Sequence, residues 1–348
     1  MMKKVLTIGI AAYNASTTLN HTLKSLLIPE IMESLSIIVV NDGSTDDTEL
    51  IAQKYVDKYP TIVKVINKEN GGHGSVINKL IEIVDTPYFK LVDADDTVEK
   101  IGFIDLVNKL SITKADVVLS PFFMYDLKDN KKQLVGYLNS INKYERNKVV
   151  RFDKYYQIIQ PALHSLTYST KLLKNSGFRV DEHCFYEDTE YSLYYFLNCK
   201  TILLLDEPVY CYWIGSTTQS VNIQNRLKRR SQALRVSYSL ISFFENNKKN
   251  MDNAKEIFYK NQITGVLSFD YQLLFALLNG KRAKYESQEF DLNIKRTSPE
   301  LYEYVDKGNM GGKKVGKVIK IFRKNNWNGY IFLHFCFRKS IVNKIKMG

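Results

Sequence analysis

Pro87-Tyr88-Phe89-Lys90-Leu91-Val92-Asp93-Ala94-Asp95-Asp96 runs from an apolar segment straight into three carboxylates within four residues. Residues 88–92 read as a short buried strand, so the negative charge gathers at its carboxyl end. Such a cluster is unfavourable unless something positive meets it, and hard divalent cations take carboxylate oxygens. Mg²⁺ or Mn²⁺ held by one or two carboxylates completes its shell with water and phosphate oxygens. The stretch therefore suggests a metal–diphosphate site at a strand end, where open α/β sheets bind ligands. A plainer use is open too: Asp95 or Asp96 as the cap of the helix that follows, a position where Asp is favoured.

Outward from this strand the pattern repeats. Residues 4–10 form an apolar strand; Ser16 can cap a helix reaching Leu27, with Leu19, Leu23, Leu26 and Leu27 at helical spacing. Residues 35–40 are a second strand, ending in Asn41-Asp42-Gly43-Ser44-Thr45-Asp46-Asp47, with a helix to Tyr59. Residues 61–66 are a third, ending in Asn67-Lys68-Glu69-Asn70-Gly71-Gly72-His73-Gly74-Ser75 before a helix over 75–84. After the acidic strand comes a helix with Val98, Ile101, Ile104 and Leu110 on one face, then a fifth strand over 116–119. Alternation of this kind indicates a mainly parallel sheet with helices on both faces. Its polar, Gly-rich and acidic strand ends gather on one edge, where a nucleotide lies in such folds. Neither G-x-G-x-x-G after the first strand nor G-x-x-x-x-G-K-[ST] is present, which argues against a dinucleotide site and a P-loop.

Four motifs in order carry a resemblance: Ile10-Ala11-Ala12-Tyr13-Asn14, Val39-Val40-Asn41-Asp42-Gly43-Ser44-Thr45-Asp46, Asn70-Gly71-Gly72-His73-Gly74-Ser75 and Asp93-Ala94-Asp95-Asp96. Together they resemble the family 2 inverting glycosyltransferases of GT-A fold, of the bacterial cell-surface polysaccharide type. The resemblance implies an α/β, Rossmann-like, mainly parallel sheet flanked by helices, with a C-terminal helical region. It implies that Asp42 bonds the uracil of a UDP-sugar, that Ala12, Tyr13 and Asn14 line the base, and that Asn70, Gly71 and Gly74 approach the nucleotide. Asp93 and Ala94 would meet the ribose or sugar, and Asp95 would hold the metal, Mn²⁺ or Mg²⁺. The same residues have plainer uses. Asp42 suits an Asx turn before Gly43. The glycines suit a helix entry, although three in four residues cost chain entropy and point to a close backbone approach. His73 reads as a loop residue, since hard oxygen donors already serve the metal.

Composition sets bounds. The 348 residues are 45% hydrophobic and 25% charged, an ordinary globular mix for one large domain or two. Net charge is +12, yet residues 311–348 hold ten Lys or Arg and no Asp or Glu. Without that tail 39 basic residues face 37 acidic ones, which argues against a nucleic-acid partner, whose basic surface belongs on the main domain. Neither a signal peptide nor a span of ~18–20 apolar residues is evident. Cys184, Cys199, Cys211 and Cys336 show no CxxC spacing, so reduced thiols and a cytoplasmic location are expected.

Residues 121–150 are polar and read as strands or hairpins. Gln160-Pro161-Ala162-Leu163-His164-Ser165-Leu166-Thr167-Tyr168 follows, then a short helix over 170–175 ending at Gly177. Phe185-Tyr186-Glu187-Asp188-Thr189-Glu190-Tyr191 opens a helix that buries Leu193, Phe196 and Leu197. Acidic residues at a helix start are dipole-favourable on their own. By the resemblance, an E-D pair here carries the catalytic base: Asp188, with Glu187 orienting the acceptor. His164 is a second candidate base, though such a solitary His is more often an acceptor contact or a packed side chain. Residues 201–205 and 209–213 read as strands, and Ile214-Gly215-Ser216-Thr217-Thr218-Gln219-Ser220 resembles the loop that closes over the donor diphosphate. Many family members carry a base just before it. Here Cys211, Tyr212 and Trp213 stand there, so hydroxyls and amides take over and Trp213 offers a stacking face to a sugar.

The chain thus divides into a catalytic domain over 1–215, with its acceptor side about 121–215, a helical region over 216–310 and a basic tail over 311–348. Long helices are expected over 224–247 and 252–278; Phe258, Phe269, Tyr271 and Phe275 read as core, and Arg226, Lys228, Arg229 and Arg230 as a solvated face. In the tail, Val315, Val318, Ile319, Ile321 and Phe322, then Trp327, Tyr330, Ile331, Phe332, Phe335 and Phe337, lie among lysines and arginines. That mix suits peripheral binding to the anionic inner face of a membrane. A helix packed on the domain and an oligomer contact are the other uses. The implied reaction moves a hexose or N-acetylhexosamine from a UDP-sugar to a glycan or lipid-linked acceptor, a teichoic acid and a glycoprotein being further acceptors. A nucleotidyltransferase and a silent binding module remain as other classes.

Overall fold

The computed structural model describes residues 4–215, 223–277, 280–306 and 313–327. They fall into two compact units, Met1–Ser216 and Thr217–Gly348. In the first, the strands are β1 (Leu6–Ala12), β2 (Leu35–Asp42), β3 (Val63–Lys68), β4 (Tyr88–Asp93), β5 (Thr97–Val98), β6 (Val117–Leu119), β7 (Phe122–Asp126), β8 (Lys131–Val135), β9 (Val149–Arg151), β10 (Leu166–Ser169), β11 (Thr201–Leu204) and β12 (Tyr210–Ile214). The helices are α1 (Leu19–Leu26), α2 (Thr48–Lys58), α3 (His73–Ile83), α4 (Lys100–Leu110), α5 (Phe152–Tyr155), α6 (Thr170–Ser176) and α7 (Asp188–Tyr194).

An eight-stranded sheet runs in the order β3-β2-β1-β4-β10-β6-β11-β9, and a smaller one in the order β5-β12-β7-β8. The strands from β3 to β4 are parallel; β10 lies antiparallel between β4 and β6. Central parallel strands are covered on both faces and so are apolar throughout, as in β2, buried at every position. The core joins Ile8 and Ile10, Ile37 and Val39, and Val92 to Leu19, Leu23 and Leu26 of α1 and Phe103 and Leu106 of α4. Register then sets the site: Ala11 pairs with Asp93, Ala12 with Asn41 and Asp42 with Lys68, so the polar strand ends share one edge.

Helix α4 departs from the expected pattern. Its buried face is Phe103, Leu106, Val107 and Leu110; Ile101 is 67% exposed, and Val98 belongs to β5. The helix starts late because Glu99 caps it, accepting from the amides of Ile101 and Gly102 at 2.9 and 3.1 Å. Asp95 and Asp96 therefore do not serve as its cap. Helix α1 likewise starts after Thr18, without a side-chain cap; the amide of Ser16 donates to Asp46 instead.

The second unit is helical: α8 (Ile223–Lys228), α9 (Arg230–Asn247), α10 (Asn253–Leu277), α11 (Gly280–Thr297), α12 (Pro299–Val305) and α13 (Lys313–Lys324). The helix expected over 224–247 is broken at Arg229, whose φ and ψ of −97° and 17° leave the helical region. Two arginines of the expected solvated run turn inward. Arg226 reaches Asp270 at 3.4 Å, and Arg230 grips Glu286 through two nitrogens at 2.7 and 2.8 Å. Phe269, expected in the core, is 41% exposed and lies 4.3 Å beneath the Arg226 guanidinium. Tyr271, Phe275 and Phe258 are buried as expected.

In the tail, Val315, Ile319, Phe322 and Trp327 are buried, and Phe275 packs on both Phe322 and Trp327. Lys317, Lys320 and Lys324 stay exposed. For residues 313–327 this is the packed-helix use of the sequence; the aromatic cluster from Tyr330 to Phe337 and Cys336 lie outside the described residues. Arg323 locks the helix in place, bonding Asp291 at 2.7 Å, Asp306 at 2.6 Å and the carbonyl of Tyr302. Arg323→Met is expected to strand the buried Asp291 carboxylate and cost about 3 kcal/mol, read by urea denaturation. Among the described residues, no helix is long and apolar enough to cross a membrane.

Candidate active site

The carboxyl edge is built from four loops that hold one another. Asn14, at a left-handed φ of 49°, accepts from the Thr45 amide while its own amide donates to Ser44 Oγ. Asp46 gathers the Ser16 amide and the Thr48 amide and hydroxyl, and these bonds outweigh burial to hold its carboxyl well below the usual range. Tyr13, just outside this knot, is 55% exposed. Asp42, by contrast, is buried. It accepts from the amides of Gly71 and Gly72 at 3.0 and 2.9 Å and from Lys68 Nζ at 2.6 Å. A carboxylate offers about four acceptor sites, so about one remains for a ligand. Lys68 also bonds Ser75 Oγ, and Asn70 donates to the Asp42 carbonyl. The Asp42 turn and the glycine loop are thereby one body.

The glycines serve the chain's own packing. Gly72 has a φ of 82°, which bulkier residues rarely adopt. A Cβ at Gly74 would lie 2.0 Å from the carbonyl oxygen of Asp181 and 3.0 Å from Glu187 Cγ. Helix α3 therefore starts flush against the segment that leads to the E-D pair. Gly74→Ala is expected to force these backbones apart at a cost of about 1–3 kcal/mol, measurable as a lowered midpoint of urea unfolding.

At the acidic turn the three carboxylates separate into different environments. Asp93 is half-buried, and its amide donates to Tyr210 Oη at 3.0 Å. Asp95 is exposed. Asp96 is buried and fully engaged, taking the Tyr210 hydroxyl at 2.7 Å on one oxygen and the Trp213 amide at 2.8 Å on the other. Burial, with the charges of Asp93 and Asp95, raises its pKa well above the carboxylate range. Asp93, Asp96 and His164 bring one donor atom each to within 4.8 Å of one another. The carboxylate oxygens are donors that suit Mn²⁺ or Mg²⁺, and the imidazole is a softer third donor. Asp96 is committed to β12, while Asp95 is exposed at the tip of the turn.

His164 is packed among rings: Tyr212 stacks on it at 4.0 Å, and Tyr210 and Phe122 lie 5.0 and 5.1 Å away. Burial lowers its pKa to about 4, so the imidazole is neutral. Lys90, buried within β4, fixes this segment by donating to the carbonyls of His164 and Leu166 at 2.9 and 3.1 Å. Side chains alternate across a strand. Tyr210 and Tyr212 thus face the acidic turn, while Trp213 points the other way, stacked on Tyr125 at 4.5 Å and bonded to Thr97. Burial and the charges of Asp96, Asp93, Asp188 and Asp95 push the Tyr212 phenol up. Of the loop that follows, residues 216–222 lie outside the described residues.

The E-D pair opens α7. Asp188 is exposed; Glu187 is 2% exposed and holds His73 Nδ1 at 2.7 Å. The other ring nitrogen of His73 lies 3.5 Å from Asp93. Burial disfavours the imidazolium, but the hydrogen bonds and charges of Asp93 and Glu187 outweigh it and raise the His73 pKa well above its ordinary value. Sequence reasoning placed His73 in a loop, read Asp96 as part of the acidic cluster or a helix cap, and gave no site role to Tyr210, Tyr212 or Lys68. The only sequence signal for them was that polar atoms on apolar strands need partners when buried.

The chain has the GT-A fold with C-terminal helices: the crystal structure of S. aureus TarS 1–349 in complex with UDP-GlcNAc matches it with a TM-score of 0.67 at 18% identity, over 97% of this chain and 92% of that one. Residues 7–176 match the family model described as Glycosyl transferase family 2. The chain thus carries a glycosyl transferase family 2 domain over residues 7–176. It is similar to the minor teichoic acid biosynthesis protein GgaB of Bacillus subtilis, at 26% identity over 244 residues, 68% of this chain and 26% of that protein. An uncharacterized glycosyltransferase of Rickettsia typhi is 33% identical over 172 residues, 49% of each chain. The matched segments thus span from 26% to 49% of these curated relatives.

Proposed function

We propose that the chain is an inverting glycosyltransferase. It moves a hexose or N-acetylhexosamine from a UDP-sugar to a hydroxyl of a glycan, teichoic-acid-type or lipid-linked acceptor in bacterial surface polysaccharide synthesis. One observation carries the reading. The E-D pair and the acidic end of β4 meet across His73, whose two ring nitrogens lie 2.7 Å from Glu187 and 3.5 Å from Asp93. Two carboxylate groups on either side of one imidazole suit a reaction with a leaving diphosphate on one side and a hydroxyl nucleophile on the other.

In this mechanism Tyr13 lies against the base, and Asp42 offers its remaining acceptor site to a base N–H. The acceptor hydroxyl gives its proton to Asp188 as its oxygen bonds to the anomeric carbon. The bond to the diphosphate oxygen breaks on the opposite face, and UDP leaves with the electron pair. A general base of this kind contributes about 10²–10⁴-fold. Asp93 and Asp95 would hold Mn²⁺ or Mg²⁺, which would supply positive charge against the diphosphate. Tyr212, stacked on His164, offers the sugar an aromatic face. The similarity to GgaB supports a teichoic-acid-type acceptor.

The test is a UDP-release screen over UDP-glucose, UDP-galactose and their N-acetylated forms, with and without Mn²⁺, using polyol-phosphate and lipid-linked glycan acceptors. Acceptor-dependent UDP release with one donor is expected. Release of pyrophosphate, or no turnover with any donor and acceptor, overturns the reading.

A further inference from the structure

The connection between α3 and α7 is built more tightly than a nucleotide loop needs. Asn78 of α3 bonds both the amide and the carbonyl of Val180, each at 3.0 Å, and adds Glu182 at 2.8 Å. The amide of His183 donates to the Gly71 carbonyl at 2.8 Å. Asp181 fills the space beside Gly74, and its amide donates to Glu190 at 2.7 Å. The chain between carries two residues in the left-handed region, His183 at φ 52° and Tyr186 at φ 76°. For a bulky, buried residue such as Tyr186 this is a strained conformation that persists only where surroundings over-determine it. Glu187, next in line, stands at the N-cap position of α7 but caps nothing. Its carboxylate is spent on His73.

We propose that His73 is a positioning residue for the reaction: its Nδ1–H fastens the buried Glu187 and so fixes the strained turn that presents Asp188. The inference rests on Asp188 being the base, as proposed above. An ionised carboxylate only accepts, so the proton of the 2.7 Å contact belongs to His73 Nδ1. Removing it leaves Glu187 buried without that donor, and such a group either takes up a proton or swings out. Asp188 shares a peptide bond with Glu187 and moves with it. Misplacement of a catalytic group by about 1 Å costs on the order of 10²-fold in rate. His73 itself touches neither the hydroxyl nor the sugar in this scheme.

Three variants separate this role from a merely structural one. In Asn the amide nitrogen sits about where Nδ1 does, and in Gln about where Nε2 does. His73→Asn keeps a donor for Glu187, His73→Gln keeps one toward Asp93, and His73→Ala keeps neither. Turnover, UDP affinity by calorimetry and hydrogen exchange over residues 181–191 are measured for each, with wild type and Asp188→Asn alongside. His73→Ala is expected to lose about 10²-fold in kcat with UDP affinity within about threefold of wild type, and to lose exchange protection at the amides of Asp181 and Tyr191. His73→Asn is expected to recover most of both, and His73→Gln little. Equal turnover in His73→Ala and wild type overturns the inference, as does Gln rescuing better than Asn or UDP affinity falling in step with kcat. Should wild type transfer no sugar, the glycosyltransferase reading fails and the positioning role with it. Should wild type transfer, Asp188→Asn not, and His73→Ala match wild type, only the present inference fails.

Discussion

Asp188→Asn is expected to bind UDP as the wild type does and to lose transfer by about 10²–10⁴-fold. The substitution replaces one carboxylate oxygen by an amide of the same shape. Asp188 is exposed at the start of α7, where its charge interacts favourably with the helix end. What the variant lacks is a proton acceptor facing the cleft. Glu187 cannot stand in for it, because that carboxylate is buried and bound to His73. The measurement is kcat against UDP affinity in the same preparation. Transfer within about tenfold of wild type would move the base to another group, with His164 the first to examine; its pKa near 4 and its packing between Tyr212 and Phe122 make it a poor acceptor.

Asp95→Ala is expected to fold and to lose the Mn²⁺ dependence of UDP binding, by about 10²-fold or more. Asp96 holds β12 through Tyr210 and Trp213, whereas Asp95 stands exposed at the tip of the turn, where a cation can reach it. Titration of UDP with and without Mn²⁺ reads the effect. A response equal to wild type would instead seat the cation on Asp93, Asp96 and His164.

Much of this site was legible from local chemistry. An apolar run ending in Asp93-Ala94-Asp95-Asp96 reads as a buried strand with an acidic tip, and β4 is that strand. Three further strands ending in polar turns made a parallel sheet with a common edge the economical arrangement, and β1 to β4 form it. What failed locally failed for a physical reason. The face assigned to α4 missed at its first positions: Val98 lies in β5, before the Glu99 cap, and Ile101 in the first turn is exposed, while Leu110 is buried as expected. Arg226 and Arg230 looked solvated because their partners, Asp270 and Glu286, lie more than forty residues away. Trp213 looked like a sugar platform, yet its side chain and that of Tyr212 leave β12 on opposite faces.

The sequence by itself determined the elements, the carboxyl edge and the residue types that meet there, because hydrophobic period and turn chemistry act over a few residues. It also held the family resemblance, since the spacing of four motifs is a property of the chain alone. Only the tertiary structure decided which carboxylates are spent and which are left. Asp42, Asp96 and Glu187 are tied to Lys68, Tyr210 and His73, and those partners come from elements brought together by packing. A buried charge must find a donor wherever the fold supplies one, and sequence distance carries no record of where that is.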